Sequence, residues 1–298
     1  MSNRYVLLPH RTVLRLRGKD MREFLQGLIT QDITKVTSQH SIWTAMLSAQ
    51  GKYLFDFFVA VEGDSLLLDC DIDQAPQLMR LLTMYKLRAD VHIENLGEEY
   101  HVLAAMGDVS ALALPTDAGR TEYFADAHVT AFIDPRHAAM KARIIAPAGE
   151  GETWIIQRGY AQACVSDYET LRIQHAIPRA GVDSIPQKTL ILENGFEALN
   201  GVSFEKGCYV GQEVTARTKH RAKLHKQLYQ VQSKTALPAA GCDITLEGRV
   251  VGEMRSSLAL QGLAILRNDA VEKSRSTAHS LLADGHDLTA INPPWQRA

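Results

Sequence analysis

From Thr12 to Arg17 the chain alternates Leu14 and Leu16 against Arg15 and Arg17, the period of two that a half-buried strand imposes. Tyr5 to Leu8 reads as a shorter strand before it. Gly18-Lys19-Asp20 then supplies a turn and a carboxylate N-cap, and Phe24, Leu25, Leu28 and Ile29 follow at helical spacing, which predicts a first helix. Between Ile42 and Val61 the spacing shifts to two apolar, aromatic-rich strands joined across Ser48-Ala49-Gln50-Gly51-Lys52, with a third strand at Ser65 to Cys70. Pro76 suits the first turn of a helix whose Leu78, Leu81, Leu82 and Tyr85 form a stripe, and Ala89 to Glu94 returns as a strand. Further strands are expected at His101 to Met106, Val129 to Ile133 and Arg143 to Ala146, around a short helix near Ser110 to Leu114 and a turn at Asp134 to His137. A later helix starts near Ser166 or Asp167 and carries Leu171, Ile173 and Ile177, before loop punctuation by Pro178, Gly181 and Pro186. From Leu228 to Arg267, short alternating strands marked by Gly241, Gly248, Gly252 and Gly262 read as a small antiparallel barrel. The polar remainder reads as a strand or hairpin and then a loose tail containing Pro293-Pro294-Trp295.

Strands and helices that alternate with hairpins between them predict an α+β fold of ferredoxin-like subdomains. No G-x-G-x-x-G follows any strand, so a doubly wound parallel sheet is not expected. The expected organisation is 1–222, two interwoven α+β subdomains of which 42–96 is roughly the second, and 223–298, the barrel. A chain of 298 residues exceeds what one hydrophobic core usually serves. With 22% charged residues and a net charge of −2 it offers no global attraction to nucleic acid or to an anionic membrane. No apolar stretch is long enough to cross a bilayer; even Leu54 to Val61 is broken by Asp56. Cys70, Cys164, Cys208 and Cys242 lie far apart with no C-x-x-C, which argues against a self-contained zinc or cluster site, and no metal is expected on the chain alone. Few cysteines, and an N-terminus interrupted by Arg4, His10 and Arg11, predict neither a secretory signal nor a disulfide framework. A cytoplasmic monomer is the expectation.

Reactive and permissive residue types concentrate in Lys206-Gly207-Cys208-Tyr209-Val210-Gly211-Gln212-Glu213. Lys206 beside the sulfur would favour thiolate, the form that acts as nucleophile or metal ligand, and the glycines allow positive φ or close approach. Against this stands the plain reading of a free cysteine as a small buried hydrophobe.

Lys-Gly-Cys-Tyr-x-Gly-Gln-Glu followed by Arg217 resembles the signature of the YgfZ family, folate-binding relatives of the glycine-cleavage T-protein (aminomethyltransferase). The likeness extends, in the family's order, through Phe24-Leu25-Gln26-Gly27, Thr30-Gln31-Asp32-Ile33, Ser48 to Lys52, Tyr85-Lys86-Leu87-Arg88 and Ile177 to Asp183. It implies subdomains of the aminomethyltransferase folate-binding type and tetrahydrofolate or a derivative as cofactor, in a deep pocket between them. It also implies a role in the assembly or repair of iron–sulfur enzymes, with assembly proteins or client enzymes as partners, and an effect on tRNA modification. Carried over by position, Cys208 is the functional thiol, and Asp32, Arg172, Lys206, Gly207, Tyr209, Gly211, Gln212, Glu213 and Arg217 are the folate-binding set. Asp32 is equally a turn former, and Arg172 equally a partner of Glu169 one turn earlier. The T-proteins carry two adjacent aspartates where this chain has Phe55-Asp56, and lack a cysteine at the position of Cys208. One-carbon transfer to folate is therefore the second reading, and a non-catalytic folate-binding scaffold the third. The basic run of Arg217, Lys219, His220, Arg221, Lys223, His225 and Lys226 is either a solvated face or a device to steer a folate tail or RNA. It holds no interleaved aromatic for base stacking.

Overall fold

A computed structural model of the chain describes residues 2–221, 224–277 and 279–297. The first two strands, β1 (Arg4–Leu7) and β2 (Arg11–Arg17), part at once into different sheets. Helix α1 (Met21–Gln26), strands β3 (Ile42–Leu47), β4 (Tyr53–Glu62) and β5 (Ser65–Asp71), helix α2 (Ala75–Tyr85) and strand β6 (His92–Asn95) follow. They complete a five-stranded antiparallel sheet in the order β3-β4-β5-β2-β6. Next come β7 (Tyr100–Met106), β8 (Thr121–Phe124), β9 (Val129–Ile133), β10 (Ala142–Pro147), helix α3 (Glu150–Gln157) and β11 (Ala161–Gln162). With β1 they form a six-stranded sheet, β11-β1-β7-β10-β9-β8.

The two sheets pack face to face. Val13, Trp43, Ala45, Phe58 and Leu67 of the first meet Val6, Val102, Ala104, Phe132 and Ile145 of the second. The other face of the first sheet, with Leu14, Leu16, Phe57 and Leu66, is covered by Leu25 of α1 and by Leu78 and Leu82 of α2. Trp154 and Ile155 of α3 cover the outer face of the second. Because both faces of β3 and β4 are covered, these strands read as continuous apolar runs and not as alternation.

Helices α4 (Val165–Gln174) and α5 (Gln212–Arg221) precede a closed barrel. Its strands are β12 (Lys226–Gln232), β13 (Asp243–Leu246), β14 (Arg249–Leu258), β15 (Gln261–Arg267), β16 (Leu281–Ala283) and β17 (His286–Ile291), with α6 (Asn268–Ser276) inserted. They close in the order β12-β15-β14-β13-β16-β17 around Val231, Ile244, Met254, Leu266 and Leu281. The barrel docks on the end of α4, where Ile173 and Ala176 pack against Leu228 and Leu263.

The α+β reading with a terminal antiparallel barrel is what the structure has, and several local expectations change. The Asp20 carboxylate does not cap α1; it accepts the Asp90 amide at 2.8 Å and ties the start of α1 to the link between α2 and β6. Asp134 to His137 is a bend, as expected, and a buried one, with Asp134 and Arg136 forming an ion pair at 2.7 Å. The tail is not loose: Trp295 donates its indole N–H to the Ala176 carbonyl at 3.1 Å and lies on Gly195. Helices α3, α5 and α6 were not legible; among the described residues α5 buries only Thr215 and α6 only Ala270 and Val271, too little for an apolar stripe. The boundary expected at 222 and 223 falls on residues outside those described.

Candidate functional site

The segment from Ser203 to Gly211 has no regular structure and runs into α5 at Gln212. It lies along the stretch that follows α1. Ser203 donates its amide to the Thr30 carbonyl at 2.9 Å and Val210 donates to the Gly27 carbonyl at 3.1 Å. Between them Lys206 drives its Nζ into the carbonyls of Gln26, Ile29 and Gln31 at 2.7, 2.6 and 3.0 Å. Burial pulls the Lys206 ammonium down to about 8, with Asp32 opposing.

On its other side the loop closes on the β3–β4 hairpin. Gly211 has φ +81°, and a Cβ there would meet Leu47 Cβ at 2.8 Å and the Ser48 carbonyl. Gly51 of the hairpin, at φ +72°, is as tightly held: its Cβ would stand 2.7 Å from Val214 Cβ and 3.0 Å from the Gly211 oxygen. Both positions need glycine for backbone shape and for contact, so Gly211 serves closure of the loop and not access to the sulfur. Tyr209 turns inward and joins the sandwich core, and its amide donates to Gln212 Oε1 at 3.2 Å. What remains outside is Gly207, with open space around its Cα, and Cys208, which is exposed. The thiol thus stands at the apex of a loop braced from two sides.

The other residues of the set do not converge on it as a ligand pocket. Asp32 Oδ1 accepts from the Thr34 amide and hydroxyl and from Gln26 Nε2, at 3.0, 2.8 and 3.0 Å. Burial alone would raise the Asp32 carboxyl, but these bonds and the Lys206 charge hold it below the ordinary carboxylate range. Glu213 and Arg217 pair with each other at 2.6 Å on the solvent face of α5. Arg172 is elsewhere, buried beneath the barrel. It donates to the Ile177 carbonyl and Asp183 Oδ2, each at 2.7 Å, to Glu169 Oε2 at 2.6 Å and to Ser256 Oγ at 2.7 Å. Its pairing with Glu169 occurs in the interior, and Arg172 joins α4 to the barrel with no N–H left for a ligand. Lys206, with three protons in three carbonyls, is likewise spent and does not face the thiol as a free charge.

The structure also reveals a cluster that sequence reading missed. Asp69 accepts from Arg11 Nε at 2.6 Å and from Arg143 Nη2 at 2.5 Å, fully buried between the sheets. The guanidinium carbons of Arg143, Arg136 and Arg11 lie 4.1, 4.8 and 5.7 Å from the centre of the Phe58 ring. Beside them Asp56 receives the Trp43 indole N–H at 2.8 Å and the Tyr53 hydroxyl at 2.6 Å, and Trp43 stacks on Phe196 with centroids 4.1 Å apart. A reduced folate needs polar groups facing an open cleft of about 300–1,000 Å³. Asp56, Arg172 and Lys206 are consumed internally, Arg172 stands apart beneath the barrel, and Glu213 and Arg217 pair on the solvent face, so the expected set as arranged forms no such cleft.

A cavity of about 690 Å³ lies between α5, the Leu190–Glu193 turn and the start of α6, and is lined by Glu193, Thr218, His225, Lys226, Arg267 and Asn268 among others. None of the expected folate-binding residues reaches it. Of the basic run, Lys219 pairs with Glu197 and His220 meets Phe204 edge-on, an aromatic that sequence order had not placed there. Lys226 pairs with Glu193 at 3.6 Å, while Lys223 and the Arg221 side chain lie outside the described residues.

Residues 225–298 match the family described as the CAF17 C-terminal beta-barrel domain. The whole chain is 31% identical to the mitochondrial iron–sulfur cluster assembly factor IBA57 of Mus musculus, over 97% of this chain and 84% of that protein. The Homo sapiens protein of the same name is 30% identical over the same shares. Among solved structures, glycine cleavage system aminomethyltransferase T from Bartonella henselae superposes with a TM-score of 0.75 at 14% identity, covering 99% of this chain and 86% of that one, a likeness of fold. The cytoplasmic address is overturned by these relatives, which are mitochondrial by name. Few cysteines and broken apolar runs report on disulfides and secretion, and do not distinguish one reducing compartment from another.

Proposed function

The chain belongs to the family of the iron–sulfur cluster assembly factor IBA57, and from that premise we propose that it handles an iron–sulfur cluster as cargo, lending the thiolate of Cys208 to iron while a partner protein supplies the other ligands. The observation that carries this reading is the exposure of Cys208 at the tip of a loop fixed by backbone hydrogen bonds on one side and by glycine contacts on the other. Clusters are commonly held by four cysteine thiolates. One thiol is one ligand, which suits a group that receives and gives up cargo better than one that stores it. Cys70 offers no second ligand, being buried with its thiol pushed up to about 12 by desolvation. Tetrahydrofolate has no part in this reading, because Arg172 and Lys206 are spent inside the protein and the rest of the expected set does not converge on a cleft. An effect on tRNA modification would then arise through iron–sulfur enzymes among the clients and needs no RNA surface here.

The test uses a glutathione-ligated [2Fe–2S] complex as the probe, mixed anaerobically with the full chain. The Cys208 thiol gives up its proton, its thiolate replaces one glutathione thiolate on iron, and the released glutathione takes up the proton; iron keeps its oxidation state. The wild-type protein and Cys164→Ser should acquire sulfur-to-iron charge-transfer absorption after gel filtration, and Cys208→Ser should not. Equal uptake by Cys208→Ser would overturn the assignment.

A further inference from the structure

The loop from Ser203 to Val210 draws on the carbonyls of Gln26, Gly27, Ile29, Thr30 and Gln31, almost the whole carbonyl line beyond α1. Only Lys206 reaches that line through a side chain. Its ammonium offers three protons in tetrahedral directions and finds three oxygens within 3.0 Å. A guanidinium carries the same charge in a flat fork, and cannot aim at three acceptors arranged around a point. Of these oxygens Gln26 O is one that a helix end leaves unsatisfied, and withdrawing the ammonium removes its donor from all three in a half-buried place.

We propose that Lys206 is a positioning residue: its ammonium, seated in the Gln26, Ile29 and Gln31 carbonyls, fixes where the Cys208 sulfur stands two residues further on. Its value lies in the shape of the ammonium and not in its charge toward the thiol. The inference builds on the reading of Cys208 as the working group, but its main readout does not depend on cluster chemistry. It also makes the cradle itself a receptor: once the side chain is removed, a small alkylammonium ion has the same three oxygens to bind.

The experiment places a nitroxide on Cys208 in a Cys164→Ser, Cys242→Ser background and compares native Lys206 with Lys206→Ala, Lys206→Met and Lys206→Arg by electron paramagnetic resonance. The label should be immobilised with native Lys206 and mobile in all three variants, the charged Lys206→Arg included. Propylammonium chloride should restore the immobile spectrum in Lys206→Ala, with no effect on Lys206→Met, whose side chain fills the cradle. Uptake from the glutathione cluster complex should weaken about tenfold in Lys206→Arg, equivalent to about 1.4 kcal/mol. An immobile label in Lys206→Arg or Lys206→Met, or no response of Lys206→Ala to propylammonium, would overturn the proposal. Failure of the wild type to take up cluster would count against the Cys208 reading alone, since the label spectra stand without it.

Discussion

In the loop that carries Cys208 the half-buried cation, Lys206, is satisfied by backbone carbonyls and leaves the thiol in solvent. In the centre of the sandwich Arg11, Arg136 and Arg143 are satisfied by Asp69, Asp134 and aromatic rings and leave nothing open. The two regions draw on similar residue types, and the difference lies in what accepts the hydrogen bonds. A cation that spends its protons on backbone fixes a neighbouring segment in place. Cations that share a carboxylate fill a core and knit two sheets together. Charge in the sequence therefore marks a buried joint as readily as a site, and only the identity of the acceptor separates them.

The sharpest way to break this comparison is Asp69→Ala, which strands two guanidiniums between the sheets. It should destabilise the protein by about 3–5 kcal/mol in urea unfolding; a loss below about 1 kcal/mol would mean the centre is not held by charge. Acid gives the same joint a second signature. Burial would raise the Asp69 carboxyl, but Arg11 and Arg143 hold it below its ordinary 3.8. Its folded value being depressed, its contribution is complete above that ordinary value and fades as pH falls through the folded one. Asp69→Asn should flatten this acid limb.

A smaller effect is expected on the thiol side from Gly211→Ala, which forces a side chain into a left-handed backbone against the hairpin. About 1–3 kcal/mol should be lost, together with faster alkylation of Cys208 as the loop loosens; unchanged alkylation would uncouple the hairpin from the thiol. The smallest belongs to Cys208→Ala, whose melting temperature should stay within the shift that about 0.5 kcal/mol produces. A loss of 1–2 kcal/mol, the cost of a truncated buried side chain, would place the sulfur in the core after all.

Much of the fold was legible because its strands announce themselves by period, as β2 does with Leu14 and Leu16, and because Gly51 punctuates a hairpin between apolar runs. The position of the thiol was legible from residue types alone. Its support was not: Lys206 finds its acceptors 175 to 180 residues earlier in the chain, and backbone carbonyls carry no mark in a sequence. The central cluster did leave a trace. Asp69 shares its strand face with Leu67, and Arg143 with Ile145, both of which point into the sandwich, so a charge at core-facing parity was the signal that went unread. Arg172 misled for the converse reason, since an arginine on a helix says nothing of a barrel arriving to bury it.

The parting of β1 and β2 bears on how fast the molecule assembles. The strand at Arg4–Leu7 pairs with Tyr100–Met106 on one edge and with Ala161–Gln162 on the other, so its neighbours are 96 to 157 residues downstream while β2 is already committed to the first sheet. During synthesis β1 has no partner until β7 emerges, and closing so long a loop must precede the contacts that reward it. The two sheets, distinct in space, are thereby interleaved in time. Slow refolding, and a window in which the first strand is open to foreign strands, follow from that order of events.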